Sequence, residues 1–157
     1  MIKGHKKIGE ILIEKGLITR QQLNDALLQQ QKSKEFLGIV LLKKGQVSWQ
    51  DLLTALAEQF NISFTTLKSK DIDWSVADKF SASLISEHKC FPIAKDNSSV
   101  TVAITNPLDV WGLQKAEEEA RGYKLKVVLI SEEDMQNIMQ GYKQYKMARL
   151  SNRFKQA

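Results

Sequence analysis

A sequence motif occurs twice near the start of this 157-residue chain, and no other feature restricts its fold as strongly. The first copy begins at Ile8 and reads IGEILIEKGLITRQQLNDALLQQ. The second begins twenty-nine residues later, at Leu37, and reads LGIVLLKKGQVSWQDLLTALAEQ. The residues kept in both copies include Gly9 and Gly38, Leu12 and Leu41, Lys15-Gly16 and Lys44-Gly45, Leu23 and Leu52, Ala26 and Ala55, Leu27 and Leu56, and Gln30 and Gln59. Two similar segments in tandem predict two similar local structures.

Each copy has the pattern of a short helix, a turn and a longer helix. Residues 8–14 are compatible with a helix, and Gly16 follows where a glycine ends a helix in the left-handed conformation. Thr19 and Gln22 have the spacing of a capping box, and the same spacing recurs in the second copy. Apolar residues then recur at i, i+3 and i+4 along one helical stripe. Residues 1–66 are therefore predicted to be a tandem-motif helical subdomain of two helical hairpins.

The remainder of the chain alternates between strand-like and helix-like segments. Two β-rich segments, CFPIA and SVTVAIT, flank the turn-forming KDNSS. The next segments are the helical NPLDVWGLQKAEEEARG, the strand-like YKLKVVLI and a last helix with one apolar face. The predicted order is αββαβα with a short sheet of about three strands, so the fold class is α+β. Residues 67–146 are assigned to this α+β subdomain and residues 147–157 to a basic C-terminal tail or linker.

The charge of the chain is concentrated at its end. The net charge is +5, and five basic residues follow the last acid, Asp134, while the remaining charges balance. A nucleic-acid-binding domain more often spreads basic residues over one face, so we expect no DNA or RNA partner. No apolar run approaches the ~20 residues of a membrane span, so we expect no direct membrane insertion. One cysteine, Cys90, excludes an internal disulfide and favours a reduced, cytoplasmic location.

The sequence lacks the residues that common catalytic sites require. It has no phosphate-binding loop of the GxxxxGK[ST] type. His5 and His88 have no cysteine or carboxylate neighbours at metal-ligand spacing, and Cys90 enters a predicted strand as a buried, inert thiol. We therefore expect a protein that is not an enzyme and has no metal or cofactor.

The repeated residues have two possible explanations. Packing of two duplicated hairpins would make the leucines core residues and the glycines helix ends. Gln30 and Gln59, however, each fall on the apolar stripe, where an unpaired amide costs ~1–3 kcal/mol. Gly9 and Gly38 lie in the first turn of their helices, where glycine lets another group approach the backbone closely. The second explanation is therefore a ligand site. Each copy would offer apolar side chains for a ring, an amide for a base edge and a helix start for a phosphate.

These residues resemble the MshEN domain, the N-terminal module of type II secretion and type IV pilus assembly ATPases. Its signature is a pair of motifs of the form RLGxxLxxxGxIxxxxLxxxLxxQ separated by a short spacer. Here the motifs run over residues 7–30 and 36–59, with residues 31–35 between them. The segment from His88 to Tyr145 is similar to the part that follows these motifs. The resemblance covers roughly residues 6–146.

The resemblance implies that the ligand is cyclic di-GMP, a two-fold symmetric bacterial second messenger, bound along both motifs. The residues it assigns to the ligand are Lys7, Ile8, Gly9, Leu12, Leu23, Leu27 and Gln30 of the first motif, Phe36, Leu37, Gly38, Leu41, Leu52, Leu56 and Gln59 of the second, and Asn106. Lys7 and Phe36 stand where the motif has arginine, and Asn106 precedes Pro107 where relatives often have aspartate.

The resulting expectation is a regulatory module that binds cyclic di-GMP and signals to a secretion or pilus assembly ATPase, or to its membrane platform. The alternative is a ligand-free protein-interaction domain that docks onto the same partners. Nucleic-acid binding by the basic tail ranks behind both.

Overall fold

The computed structural model describes residues 6–156. The chain divides into two compact units, with the boundary between Ile62 and Ser63. His5 lies outside the described residues.

The described part of the first unit, residues 6–62, contains four helices, as the repeat predicts. They are α1 (Ile8–Glu14), α2 (Arg20–Ser33), α3 (Leu37–Lys43) and α4 (Trp49–Gln59). Gly16 and Gly45 follow α1 and α3 with φ angles of 72° and 71°, so both adopt the predicted left-handed conformation. The N–H groups of Gly16 and Leu17 donate to the carbonyls of Ile13 and Leu12, which satisfies the end of α1.

Both longer helices begin with the capping box that the spacing predicts. The Gln22 N–H donates to Thr19 Oγ1 over 3.1 Å, and the Thr19 N–H donates back to Gln22 Oε1 over 2.8 Å. Ser48 and Asp51 form the same pair of bonds at the start of α4. Each copy is thus a helical hairpin whose turn is specified locally by its own residues.

The two hairpins pack on each other across the repeat. Helix α1 contacts α3 and α4, and α2 contacts α3. The shared core consists of Ile11, Leu12, Ala26, Val40, Leu41, Leu52, Ala55 and Leu56, all buried. Full burial of a leucine or isoleucine side chain contributes ~1.5–3 kcal/mol, so this core is the main source of stability for the first unit.

The second unit is an α+β structure. It contains the strands β1 (Ser63–Phe64), β2 (Phe91–Lys95), β3 (Ser99–Ile104) and β4 (Lys124–Leu129), a 3₁₀ turn at Ser69–Asp71, and the helices α5 (Trp74–Ala77), α6 (Ala82–Ser86), α7 (Val110–Glu119) and α8 (Glu132–Gln156). The sheet order is β1-β4-β3-β2. Strands β2 and β3 form an antiparallel hairpin, whereas β4 runs parallel to both β3 and β1. Helix α7 supplies the crossover that a parallel pair requires.

The predicted α+β class is confirmed, with local differences. The sheet has four strands because the two-residue β1 joins its edge, and so short a strand carries no periodicity in the sequence. Helix α5 is a single turn, and it begins at Trp74 because the Ser75 N–H donates to Asp73 Oδ1. Helix α6 begins at Ala82 because Ser81 caps it, with the Leu84 N–H donating to Ser81 Oγ. Residues 147–156, predicted to be a tail or linker, continue α8.

The core of the second unit lies between the sheet and α8. Phe91 of β2 meets Trp74 and Tyr142 edge to face, with ring centroids 5.9 and 5.3 Å apart. Met135, Ile138 and Tyr142 of α8 are buried against this cluster, as the apolar face of the predicted last helix requires. The Tyr142 hydroxyl donates to Asp78 over 2.7 Å, so its polar end is satisfied.

Candidate functional site

Each of the two repeated glycines packs closely against a leucine side chain of its own copy. A Cβ built on Gly9 would lie 2.6 Å from Leu23 Cδ1, and one on Gly38 would lie 2.5 Å from Leu52 Cδ1. Both distances are far below van der Waals contact. The close approach expected from these glycines therefore takes place between α1 and α2, and between α3 and α4. In this structure the approaching group is a leucine side chain.

A cleft of about 480 Å³ lies on the surface of the first unit, and both motifs contribute to it. Its lining includes nine residues that the resemblance assigns to the ligand: Lys7, Ile8, Gly9, Leu23, Leu27, Gln30, Phe36, Leu37 and Gln59. The volume falls within the ~300–1,000 Å³ of typical small-molecule sites. The first unit therefore brings together the starts and the ends of both motifs around one concave surface.

Five other residues assigned to the ligand do not line this cleft. Leu12, Leu41, Leu52 and Leu56 have an exposed fraction of 0% and belong to the core. Gly38 is buried beneath Leu52. In this structure the four leucines fill the interior between the hairpins and present no surface to a ligand.

The two glutamines that end the motifs both line the cleft. Gln59 is half-buried, and its Oε1 atom is buried without a hydrogen-bond partner among the described residues. Gln30 is also half-buried. Leaving a buried amide oxygen unsatisfied costs ~1–3 kcal/mol, which a bound donor would recover. Gln46 Oε1 is likewise buried without a partner among the described residues, but only Gln59 lines the cleft, which makes its oxygen a candidate acceptor for a bound donor.

The apolar part of the cleft combines buried and exposed side chains. Leu23, Ile8 and Leu37 line the cleft and are buried. Leu27 and Phe36, which also line it, are 38% and 37% exposed. Together they offer a surface on which a flat ring can lie.

Three residues of the cleft were not predicted from the sequence: Glu10, Arg20 and Asn24. Arg20 is the first residue of α2 and pairs with Glu10 of α1, with Nη1–Oε1 and Nη2–Oε2 distances of 3.0 and 3.4 Å. All three occupy variable positions of the motif. Their equivalents in the second copy are the apolar Ile39, Trp49 and Leu53, so the two copies differ in polarity at these positions, but they differ at several other positions as well.

The remaining predicted residue, Asn106, belongs to the second unit and is exposed. Its Oδ1 atom accepts a hydrogen bond from the Leu108 N–H over 3.0 Å. This bond forms the Asn-Pro turn that precedes α7. The amide therefore has a local structural role in addition to the role implied by the resemblance.

The described residues also bear on metal binding and membrane insertion. No group of three or more His, Cys, Asp and Glu residues within 6–156 is arranged to hold a metal ion. His88 instead pairs with Asp109 through Nδ1 and Oδ2, 2.9 Å apart. Over the same range, none of the helices combines the length and the apolar character of a membrane span.

Comparisons with known proteins agree with this architecture. The family model of the MshEN domain matches residues 60–149. The type IV pilus assembly ATPase PilB of Myxococcus xanthus is 25% identical over 136 residues, which cover 87% of this chain and 24% of that protein. PilB of Thermus thermophilus is 33% identical over 117 residues, covering 73% of this chain and 13% of that protein. This chain thus corresponds to a small part of each ATPase.

Two solved structures share the fold. The structure of MshE with cdg superposes with a TM-score of 0.70 at 20% identity, covering 89% of this chain and 99% of that chain. The N-terminal domain of XpsE gives a TM-score of 0.58 at 18% identity, and the match covers 85% of this chain and 92% of that chain.

A tandem pair of helical hairpins followed by a small α+β unit is thus a fold that this chain shares with both solved structures. Because the family model matches more than half of the sequence, the chain belongs to the MshEN domain family.

Proposed function

We propose that this chain is a regulatory module that binds cyclic di-GMP in the cleft of its first unit. The observation that carries the proposal is the unsatisfied Oε1 of Gln59, buried beside apolar side chains and close to cationic ones in a single cleft. A guanine base has N–H groups on its edge that can donate to this oxygen, and a flat face that can lie on Leu27 or Phe36.

The charges of the cleft suit a phosphodiester. Lys7 and Arg20 are cations on its wall, and Lys7 forms no ion pair within residues 6–156. One carboxylate, that of Glu10, opposes them. The combination of an amide, exposed apolar side chains and a cation excess matches a nucleotide better than it matches a purely apolar ligand.

Two comparisons support the same ligand and context. The structure of MshE, which shares the fold, contains cdg, that is, cyclic di-GMP. The related PilB proteins are type IV pilus assembly ATPases. We propose that this chain acts in the cytoplasm as a non-catalytic domain, with cyclic di-GMP as its ligand, and passes the signal to such an ATPase.

The test is calorimetric titration with cyclic di-GMP, with 5′-GMP and cyclic di-AMP as comparison ligands. We expect one molecule of cyclic di-GMP per chain, weaker binding of 5′-GMP because it fills half of the cleft, and weaker binding of cyclic di-AMP because adenine lacks the same donors. Gln59→Leu should weaken cyclic di-GMP binding by about tenfold or more, since a desolvated hydrogen bond contributes ~1–3 kcal/mol. Absence of both heat and thermal shift at large ligand excess would refute this function.

A ligand-free interaction domain is the second candidate, and two observations favour it. The repeated glycines and four of the repeated leucines have internal packing roles that require no ligand. The second unit also has an apolar groove of about 530 Å³ along α8, whose lining includes Phe80, Ile85, Met139, Met147 and Leu150 with Lys143 and Lys146. If cyclic di-GMP does not bind, co-purification with a pilus or secretion ATPase would establish this alternative.

A further inference from the structure

The cleft is chemically different at its two motifs, although the motifs are copies of each other. Its charged residues, Lys7, Glu10 and Arg20, all come from the first motif. Twenty-nine residues later the equivalent positions hold Phe36, Ile39 and Trp49, none of which is charged. The second motif contributes the exposed Phe36 ring to the lining instead.

Arg20 is held in the cleft by a weak contact. Its guanidinium meets both carboxylate oxygens of Glu10, and the two side chains are 63% and 46% exposed. Exposed ion pairs of this kind contribute little to stability, so displacing Glu10 costs little. The bidentate contact uses two of the five N–H donors of the guanidinium, and the other three stay available for a second anion.

We propose that Arg20 is the principal phosphate-binding residue of the cleft, and that Glu10 competes with the ligand for it. This inference rests on the proposed function and adds the residue that determines where the phosphate lies. A guanidinium can bind two phosphate oxygens at once, whereas the ammonium of Lys7 acts as a point charge. Arg20 therefore supplies the planar donor group that Lys7 lacks.

The position of Arg20 also assigns an orientation to the ligand. The phosphate in contact with protein cations lies at the first motif, and the base at the second motif lies on the uncharged ring of Phe36. A ligand that is two-fold symmetric is therefore held unsymmetrically. Most of the salt dependence of binding arises at the first motif, because screening weakens charge contacts and leaves ring contacts largely unchanged.

The experiment measures the affinity of the full chain for cyclic di-GMP in four variants, each at low and high salt. Arg20→Ala should weaken binding about five- to thirtyfold and make it less sensitive to salt. Arg20→Lys should restore only part of the loss, because the fork geometry is missing. Glu10→Gln should strengthen binding severalfold, since it replaces the competing carboxylate by an uncharged amide of nearly the same shape. Arg153→Ala removes an equal charge from the exposed end of α8 and should have no effect.

The outcomes separate this inference from the function on which it rests. If the unmodified chain binds cyclic di-GMP and the affinity of Arg20→Ala lies within twofold of its affinity, the proposed function stands and the role proposed for Arg20 is wrong. If Glu10→Gln weakens binding as much as Arg20→Ala does, Glu10 positions Arg20 and does not compete with the ligand. If the unmodified chain and Glu10→Gln both fail to bind, the proposed function is refuted and this inference is refuted with it.

Discussion

Replacing Gly38 by alanine tests whether internal packing or an external ligand explains the repeated glycines. Within a helix this change normally stabilises, by up to ~1 kcal/mol, because alanine has the higher helix propensity. In this structure the new Cβ would lie 2.5 Å and 3.2 Å from the two methyl carbons of Leu52, and 3.2 Å from Cε1 of Phe36. The propensity gain is therefore opposed by a steric clash.

The equivalent change at Gly9 provides a matched comparison. Its Cβ would lie 2.6 Å from Leu23 Cδ1, a nearly identical clash. Leu23, however, borders the open cleft and can turn its methyl groups into it, whereas Leu52 is 0% exposed and has no such space. Overpacking of a closed core costs ~1–3 kcal/mol. After the propensity gain, Gly38→Ala should lose about 1–2 kcal/mol of unfolding free energy, and Gly9→Ala between zero and about 1 kcal/mol.

Urea denaturation followed by far-ultraviolet circular dichroism measures these differences, because the described part of the first unit is mostly helical. Gly16→Ala controls for backbone strain, since Gly16 has a φ of 72° and a Cβ added there would meet no atom within 4 Å. Gly38→Ala combined with Leu52→Ala should lose less stability than the sum of the single changes, because the smaller side chain relieves the clash. An increase in stability for Gly38→Ala would show that the packing explanation is wrong.

Three further changes address other parts of the molecule. Gln59→Met should raise the unfolding free energy by about 1 kcal/mol in thermal or urea denaturation, because it removes an unsatisfied buried oxygen. A lower unfolding free energy would show that the Gln59 amide is satisfied in the folded protein. The N–H of Ser98, with the hydroxyl and N–H of Ser99, holds the pKa of Asp96 well below its ordinary value. The resulting stabilisation is present above about pH 4 and is lost at lower pH. Asp96→Asn should therefore have a lower unfolding free energy than the parent protein at neutral pH, and the two values should converge on acidification. A difference in unfolding free energy that does not depend on pH would contradict this. Burial, reinforced by the nearby Asp109 charge, raises the pKa of the Cys90 thiol to about 12. Iodoacetamide should therefore label Cys90 only after the protein is unfolded. Rapid labelling of the folded protein would contradict the burial of this thiol.

Local features of the first unit could be predicted well from the sequence. Gly16 and Gly45 end their helices, and Thr19 and Ser48 cap the next ones, through hydrogen bonds to residues at most five positions away. Interactions at such short separation depend on residue type and spacing alone. The α+β class of the second unit follows in the same way from its alternating strand and helix patterns.

The placement of individual residues around the cleft depended on the tertiary structure. Leu23 and Leu52 have the same position in the motif, yet Leu23 borders the cleft while Leu52 lies in the closed core. The contact between Arg20 and Glu10 joins the starts of two helices, and β1 becomes a strand only by pairing with β4 far along the chain.

The sequence by itself thus determined the hairpins, their caps and the class of the fold, because these depend on neighbouring residues. Only the tertiary structure decided which of the repeated side chains are buried, why Gly9 and Gly38 are required, and which charges share a cleft. Burial and long-range pairing depend on how the two hairpins pack against each other, and two copies with the same motif need not have equivalent surroundings after packing.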